Sequence, residues 1–175
     1  MEYARKHNLN PVTIEAISTK TPTYPSAVLE IPEVSNDSSA VVSVPEMNFK
    51  PAMIDAAYQE AGIGPEDLSL AEVYDLSTSM EMDWYEALRL CPEGEGQRLV
   101  RDKETVIGGR IPVNASGGLA CFGEAVPAQA LAQVCELTWQ LRGQADKRQV
   151  ENPVYGITAN EGLFGHGSSV IVKKG

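Results

Sequence analysis

Residues 11–19, PVTIEAIST, set Val12, Ile14 and Ala16 against Thr13, Glu15 and Ile17 with a period of two, the mark of a strand. Strand-like segments return at SLAEVYD (69–75), VYGIT (154–158) and SSVIVKK (168–174), and segments of helical spacing lie between. The order strand, helix, strand, helix, helix, strand, strand is what most limits the fold. It predicts an α/β chain whose mixed sheet is packed by helices.

The first helix is expected from about Pro51 to Ala61, with Met53, Ile54, Ala57, Tyr58 and Ala61 on one stripe and Gly62 as its stop. STSMEMDWYEALRL predicts a helix capped by Ser79 that turns Met80, Trp84, Ala87 and Leu88 inward. The helix after Pro127 is expected to run to about Leu141, to end at Gly143, and to face Leu131, Val134, Cys135, Thr138 and Leu141 inward. Leu70 and Val73 are the buried residues expected of the second strand. Thr21 to Val44 is rich in Pro, Ser and Asn and reads as a long loop or excursion, while the glycines and charges of residues 91–118 predict surface loop with a short hairpin. The chain therefore divides into 1–20 (a preceding segment and the first strand), 21–47 (the excursion) and 48–175 (the main domain).

A formal net charge of −10, from 14 basic against 24 acidic residues, excludes a nucleic-acid binder, which needs clustered cations for phosphate. The stretch Gln97 to Arg110 is the best basic patch for an anionic ligand, with a solvated surface as the alternative. No apolar run approaches the roughly 20 residues of a membrane span, and residues 1–20 lack a signal-peptide core, so a cytosolic address is expected. Cys91, Cys121 and Cys135 have no metal-type spacing and read as reduced thiols, Cys91 and Cys135 as small buried hydrophobes.

Ligands of such sheets meet loops at strand ends, here Tyr74 to Ser77, Ser116 to Val126 and Asn160 to Gly167. In the middle loop GGLACFGEAVPAQA places Glu124 at the exit of a glycine-rich turn, where a helix begins. Tyr74, Glu124, Asp75, Asn114, Cys121, Gly123, Asn160 and His166, in or beside these loops, are the candidate site residues. Each has a plainer reading. Tyr74 can be a strand-end tyrosine with its hydroxyl on water, and Glu124 a carboxylate placed for the helix dipole. Asp75, Asn114 and Asn160 can satisfy turn backbone, and His166, between Gly165 and Gly167, can belong to a loop ruled by backbone geometry.

AGIGPEDLSLAEVYD, LCPEGEGQRLV, GGRIPVNASGGL and GHGSSVIV, in that order, resemble the C-terminal half of the thiolase superfamily, nearest its sterol carrier protein X and non-specific lipid-transfer branch. The resemblance covers most of residues 48–175. It implies a βαβαβαββ half with a five-stranded mixed sheet, a coenzyme A thioester as substrate, and no further cofactor or metal. It also implies a partner, since the half that carries the family's nucleophilic cysteine lies outside this sequence. Half a thiolase leaves an apolar face, so a homo- or hetero-oligomer is expected.

The departures from the family direct the chemistry. Where this branch usually reads His-Asp-Cys-Phe, the chain has Tyr74, Asp75, Leu76, Ser77; where it reads Gly-His-Pro, the chain has Gly123, Glu124, Ala125. Asn160 stands where other thiolases place a cysteine acid/base, although this branch also carries Asn there. Claisen chemistry needs a thiolate and its histidine, whereas retro-aldol cleavage of a β-hydroxyacyl thioester needs only a base and a donor. Actinobacterial steroid side-chain aldolases resemble this pattern, with tyrosine for histidine in the first loop. The resemblance thus implies an acyl-CoA carbon-carbon lyase in which Tyr74 donates to or accepts from the substrate oxygen, working with the missing half or a DUF35-type protein; Glu124, which has no counterpart in the aldolase pattern, reads as a desolvated base or as the partner of an arginine. The alternative is a thiolase-like interaction or acyl-CoA-binding module without catalysis.

Overall fold

The computed structural model describes residues 2–7, 9–21, 49–125, 127–162 and 166–175. The excursion expected over 21–47 lies outside the described residues, Thr21 apart. A short helix α1 (Glu2–Lys6) precedes strand β1 (Val12–Lys20), followed by α2 (Phe49–Ala61) and β2 (Leu70–Val73). Helices α3 (Thr78–Ala87), α4 (Gly96–Arg101), α5 (Gly118–Phe122) and α6 (Ala128–Arg142) lead to β3 (Tyr155–Gly162) and β4 (His166–Lys174).

The described strands form one mixed sheet in the order β1-β4-β3-β2. The β1/β4 and β4/β3 pairs are antiparallel, and β3/β2 is parallel. Among the described residues the sheet has four strands rather than the five expected. A fifth is reduced to one parallel bridge, Ala71 with Val113. Pro112 has no N–H to donate to a longer ladder, and Asn114 turns the chain away at φ 52°.

The two sheet faces differ chemically. One carries Ala71, Val73, Ile157, Ala159 and Ile171 against Met53, Ile54 and Ala57 of α2 and Trp84 and Leu88, forming the main apolar core. The other faces α6, where a smaller cluster of Leu70, Leu137, Leu141, Val150 and Val172 is bordered by polar side chains. Gly156 brings α6 close, since a Cβ there would meet the Leu137 side chain.

Several local expectations are corrected. Ser77, not Ser79, caps α3, its hydroxyl accepting from Met80 N–H at 3.2 Å. Residues 91–118 contain α4 instead of a hairpin, because Leu99, Ile111 and Val113 find the main core. Asn160 and His166 lie within β3 and β4 rather than in a loop, as the ladder continues to the Gly162–His166 pair. Helix α6 is rotated from the expected facing, although Leu141 is buried as expected and Val134 and Thr138 are half-buried. Leu131 is 69% exposed, Trp139 46%, and Cys135 is also exposed; Gln129, Gln133, Glu136 and Gln140 are buried with Leu137 and Leu141. The inward polar groups have partners, and partners remove the cost of burying them.

Candidate functional site

Strands β2 and β3 run in parallel, so their C-terminal ends open on the same edge of the sheet. Tyr74 continues that pairing, its N–H donating to Ala159 O at 2.9 Å, which sets it beside Asn160. Its ring is 5% exposed, and its hydroxyl donates to Glu124 Oε1 at 2.5 Å. Burial, then the hydrogen bond and charge of Glu124, push the phenol above its ordinary value. Tyr74 is therefore a proton donor throughout the physiological range. The Gln129 side chain also bonds the phenol, and its Oε1 accepts from Ala125 N–H at 3.3 Å. The start of α6 thus supports the pair.

Glu124 itself is exposed, contrary to the expected desolvation. The physical reason is its position just past α5, where Gly123 at φ 78° leads the chain out into solvent. The pair is buried on its tyrosine side and open on its carboxylate side.

Asp75 holds the glycine turn, Oδ1 accepting from Leu119 N–H at 2.9 Å. The same turn is held by a residue that sequence reasoning missed. Glu72, fully buried in β2, accepts from Ser116 N–H (3.1 Å) and from Ser116 O–H (2.6 Å). Burial pushes its carboxyl up to about 7, partly offset by the two Ser116 bonds. The signal was available: a parallel strand covered on both faces buries consecutive residues, so LAEV had to bury its glutamate.

Asn114 serves the backbone, Oδ1 accepting from Val73 N–H at 2.8 Å, while its buried Nδ2 has no hydrogen-bond partner among the described residues. Asn160 is buried; its Nδ2 donates to Gln133 Oε1 at 2.5 Å and its Oδ1 has no such partner. Cys121 is exposed, with Sγ against Gly117. His166 is exposed and its ring covers Gly162. The geometry thus joins Tyr74 to Glu124, places Asp75 on their supporting loop and Asn160 at the neighbouring strand end, and gives Asn114 and His166 contacts of their own.

A second missed group lies behind β3. Lys50 Nζ is 3.0 Å from Glu161 Oε2 and 4.8 Å from the centre of the Trp84 ring, with both charged side chains almost wholly buried. The expected basic patch is neutralised in part: Arg98 pairs with Glu95 and Glu104, and Arg110 with Glu104, while Arg101 and Lys103 are exposed. A cavity of 540 Å³ opens between α3 and the 100–107 stretch, lined by Glu81, Met82, Tyr85, Ile107, Asn114 and Gly117, beside the glycine turn. Among the described residues no three His, Cys, Asp or Glu side chains converge as a metal set, and no helix is long and apolar enough to cross a membrane.

Comparison with known proteins adds lineage to this geometry. Residues 34–174 match the family model described as thiolase C-terminal domain-like. Sterol carrier protein 2 of Rattus norvegicus is 36% identical over 164 residues, 94% of this chain and 29% of that protein. An acetyl-CoA acetyltransferase of Methanothermobacter thermautotrophicus is 42% identical over 114 residues, 65% of this chain and 30% of that protein. The solved Ltp2-ChsH2(DUF35) aldolase superposes with a TM-score of 0.70 at 22% identity, over 94% of this chain and 40% of that one. The chain spans less than a third of the length of these curated relatives.

Proposed function

The chain belongs to the thiolase C-terminal domain-like family, and on that premise we propose that it forms part of an acyl-CoA carbon-carbon lyase that cleaves a β-hydroxyacyl-CoA by a retro-aldol step. The observation that carries this reading is the Tyr74–Glu124 hydrogen bond at the mouth of two parallel strands.

The substrate's β-hydroxyl proton passes to the Glu124 carboxylate, directly or across the Tyr74 oxygen. The O–H pair becomes the carbonyl bond, the Cα–Cβ bond breaks, and its electrons enter the thioester as an enolate. A proton returned to Cα completes the balance, leaving a ketone or aldehyde and a shortened acyl thioester. No oxidant and no nucleophile is needed. Tyr74, held protonated, donates to whichever oxygen carries developing charge. A steroid or lipid side chain is the substrate class this lineage favours.

A partner completes the site in this reading. The outward stripe of Leu131, Cys135 and Trp139, with exposed Ile14 and Ile17 on β1, supports a protein surface there. The aldolase similar in fold is the Ltp2-ChsH2(DUF35) aldolase, so a DUF35-type chain or a further thiolase half is the partner class.

A second reading, an acyl-CoA or lipid-binding module without catalysis, is favoured by the exposure of Glu124. Tyr74→Phe and Glu124→Gln, assayed with the co-purifying partner on a β-hydroxyacyl-CoA panel, separate the two. The lyase reading expects carbonyl product from the native protein and about a hundred-fold loss in each variant with binding retained. Product formation unchanged in both variants, or absent from the native complex, favours the binding module.

A further inference from the structure

We infer that Glu72 is a positioning residue for the glycine turn, and that its carboxylate clamps Ser116 and so sets where Glu124 stands relative to Tyr74. The inference goes beyond the lyase reading, because it concerns loop geometry and stands whichever ligand the site takes.

The two oxygens of Glu72 accept two different donors of one residue, Ser116 N–H and Ser116 O–H. Ser116 Oγ in turn accepts from Gly118 N–H at 3.1 Å. Glu72 therefore reaches, through one hydroxyl, the first residue of α5. Asp75, three residues along, takes the next N–H at Leu119. A carboxylate in β2 and another just past its end thus fix consecutive amides of a turn where Gly117 and Gly118 both have positive φ, a backbone with little stiffness of its own. Five residues after Leu119 the chain presents Glu124 to Tyr74. The order Glu72, Ser116, Gly118, Glu124, Tyr74 closes a loop on the same strand from which it started.

The clamp is charge-sensitive by its surroundings. Glu72 faces Ser116 from the turn, Glu136 from α6, Arg148 from the following turn, Thr158 across the ladder and Asp75 along its own strand. Arg148 is engaged by Glu136, with Nη2 to Oε2 at 2.9 Å, which leaves Ser116 as the hydrogen-bond partner of Glu72. Ionised, Glu72 draws both Ser116 donors with charge-assisted bonds; protonated, it keeps the shape and loses that added strength.

The test is hydrogen–deuterium exchange of the 116–125 segment, corrected for intrinsic rates, from about pH 5.5 to about pH 8.5 in the full protein as purified, with Tm followed alongside. The native protein should gain about ten-fold protection in this segment as pH rises through neutrality. Glu72→Gln should exchange fast with no pH dependence while its Tm at the alkaline end is not lowered, and Ser116→Ala should match it. The double variant should add nothing, since both substitutions remove one contact. Native-like, pH-dependent protection in Glu72→Gln would overturn the inference, as would parallel loss of Tm and loop protection at every pH. Should Glu72→Gln not fold, Ser116→Ala decides alone: retained pH dependence there is fatal. No substrate enters the measurement, so a failed lyase assay leaves it standing.

Discussion

Asp75 occupies the space that a side chain at Gly118 would need: a Cβ built on Gly118 falls inside the contact distance of the Asp75 carboxylate, which is bonded to the next amide, Leu119 N–H. Gly118 also has φ 60°, where an L-residue is strained.

Gly118→Ala should therefore cost about 1 to 3 kcal/mol and loosen the α5 turn. Denaturant titration gives the first and exchange at Leu119 the second. A stable variant with native exchange at Leu119 would show that the turn tolerates the methyl.

Glu72 gives the stability curve a defined sign. Its carboxyl is raised to about 7 in the folded state from an ordinary value of about 4.5, so its contribution is fully present below about 4.5 and is lost as pH rises through about 7. We expect the loss to approach about 3 kcal/mol and to vanish in Glu72→Gln. Urea midpoints across that window, compared between the two proteins, check it.

Lys50 and Glu161 form a pair whose partners are each costly alone. Lys50→Met or Glu161→Leu should destabilise by about 3 kcal/mol, and the Lys50→Met, Glu161→Leu double variant by less than the sum. A strictly additive double-mutant cycle would refute coupling between them.

The outward face of α6 predicts the reverse pattern. Leu131→Ser should change stability by under about 1 kcal/mol, because its side chain is largely in solvent, and Trp139→Ser, at a residue 46% exposed, should cost more. Association with the partner should weaken by about ten-fold or more, read by sedimentation of the co-purified complex. Unchanged association would place the partner elsewhere.

The sheet elements were legible because their periods are set locally: Val12–Lys20 alternates, α2 keeps its stripe, and Gly143 at φ 71° ends α6 where a glycine stop was read. The facing of α6 was not legible. Leu131 and Cys135 point outward while Leu137 and Leu141 point inward, and the rest of the inward side is decided by Asn160, Arg148 and the Val150 N–H, which meet Gln133, Glu136 and Gln140. Tyr74 and Glu124 were visible as chemistry out of place in a family pattern, and they do meet. The burial of Glu72 was readable from its strand but its partner was not, because a carboxylate in an apolar strand carries no mark of a serine 44 residues away.

The polar seam beneath α6 has a consequence for how this protein varies. Oil-like contacts under α2 accept one aliphatic group for another, provided volume is kept. Directional bonds do not: a glutamine swapped for a leucine orphans its neighbour. Tolerance to random substitution should therefore be lopsided, forgiving behind the sheet and brittle in front, with the brittle side bordering the chemistry.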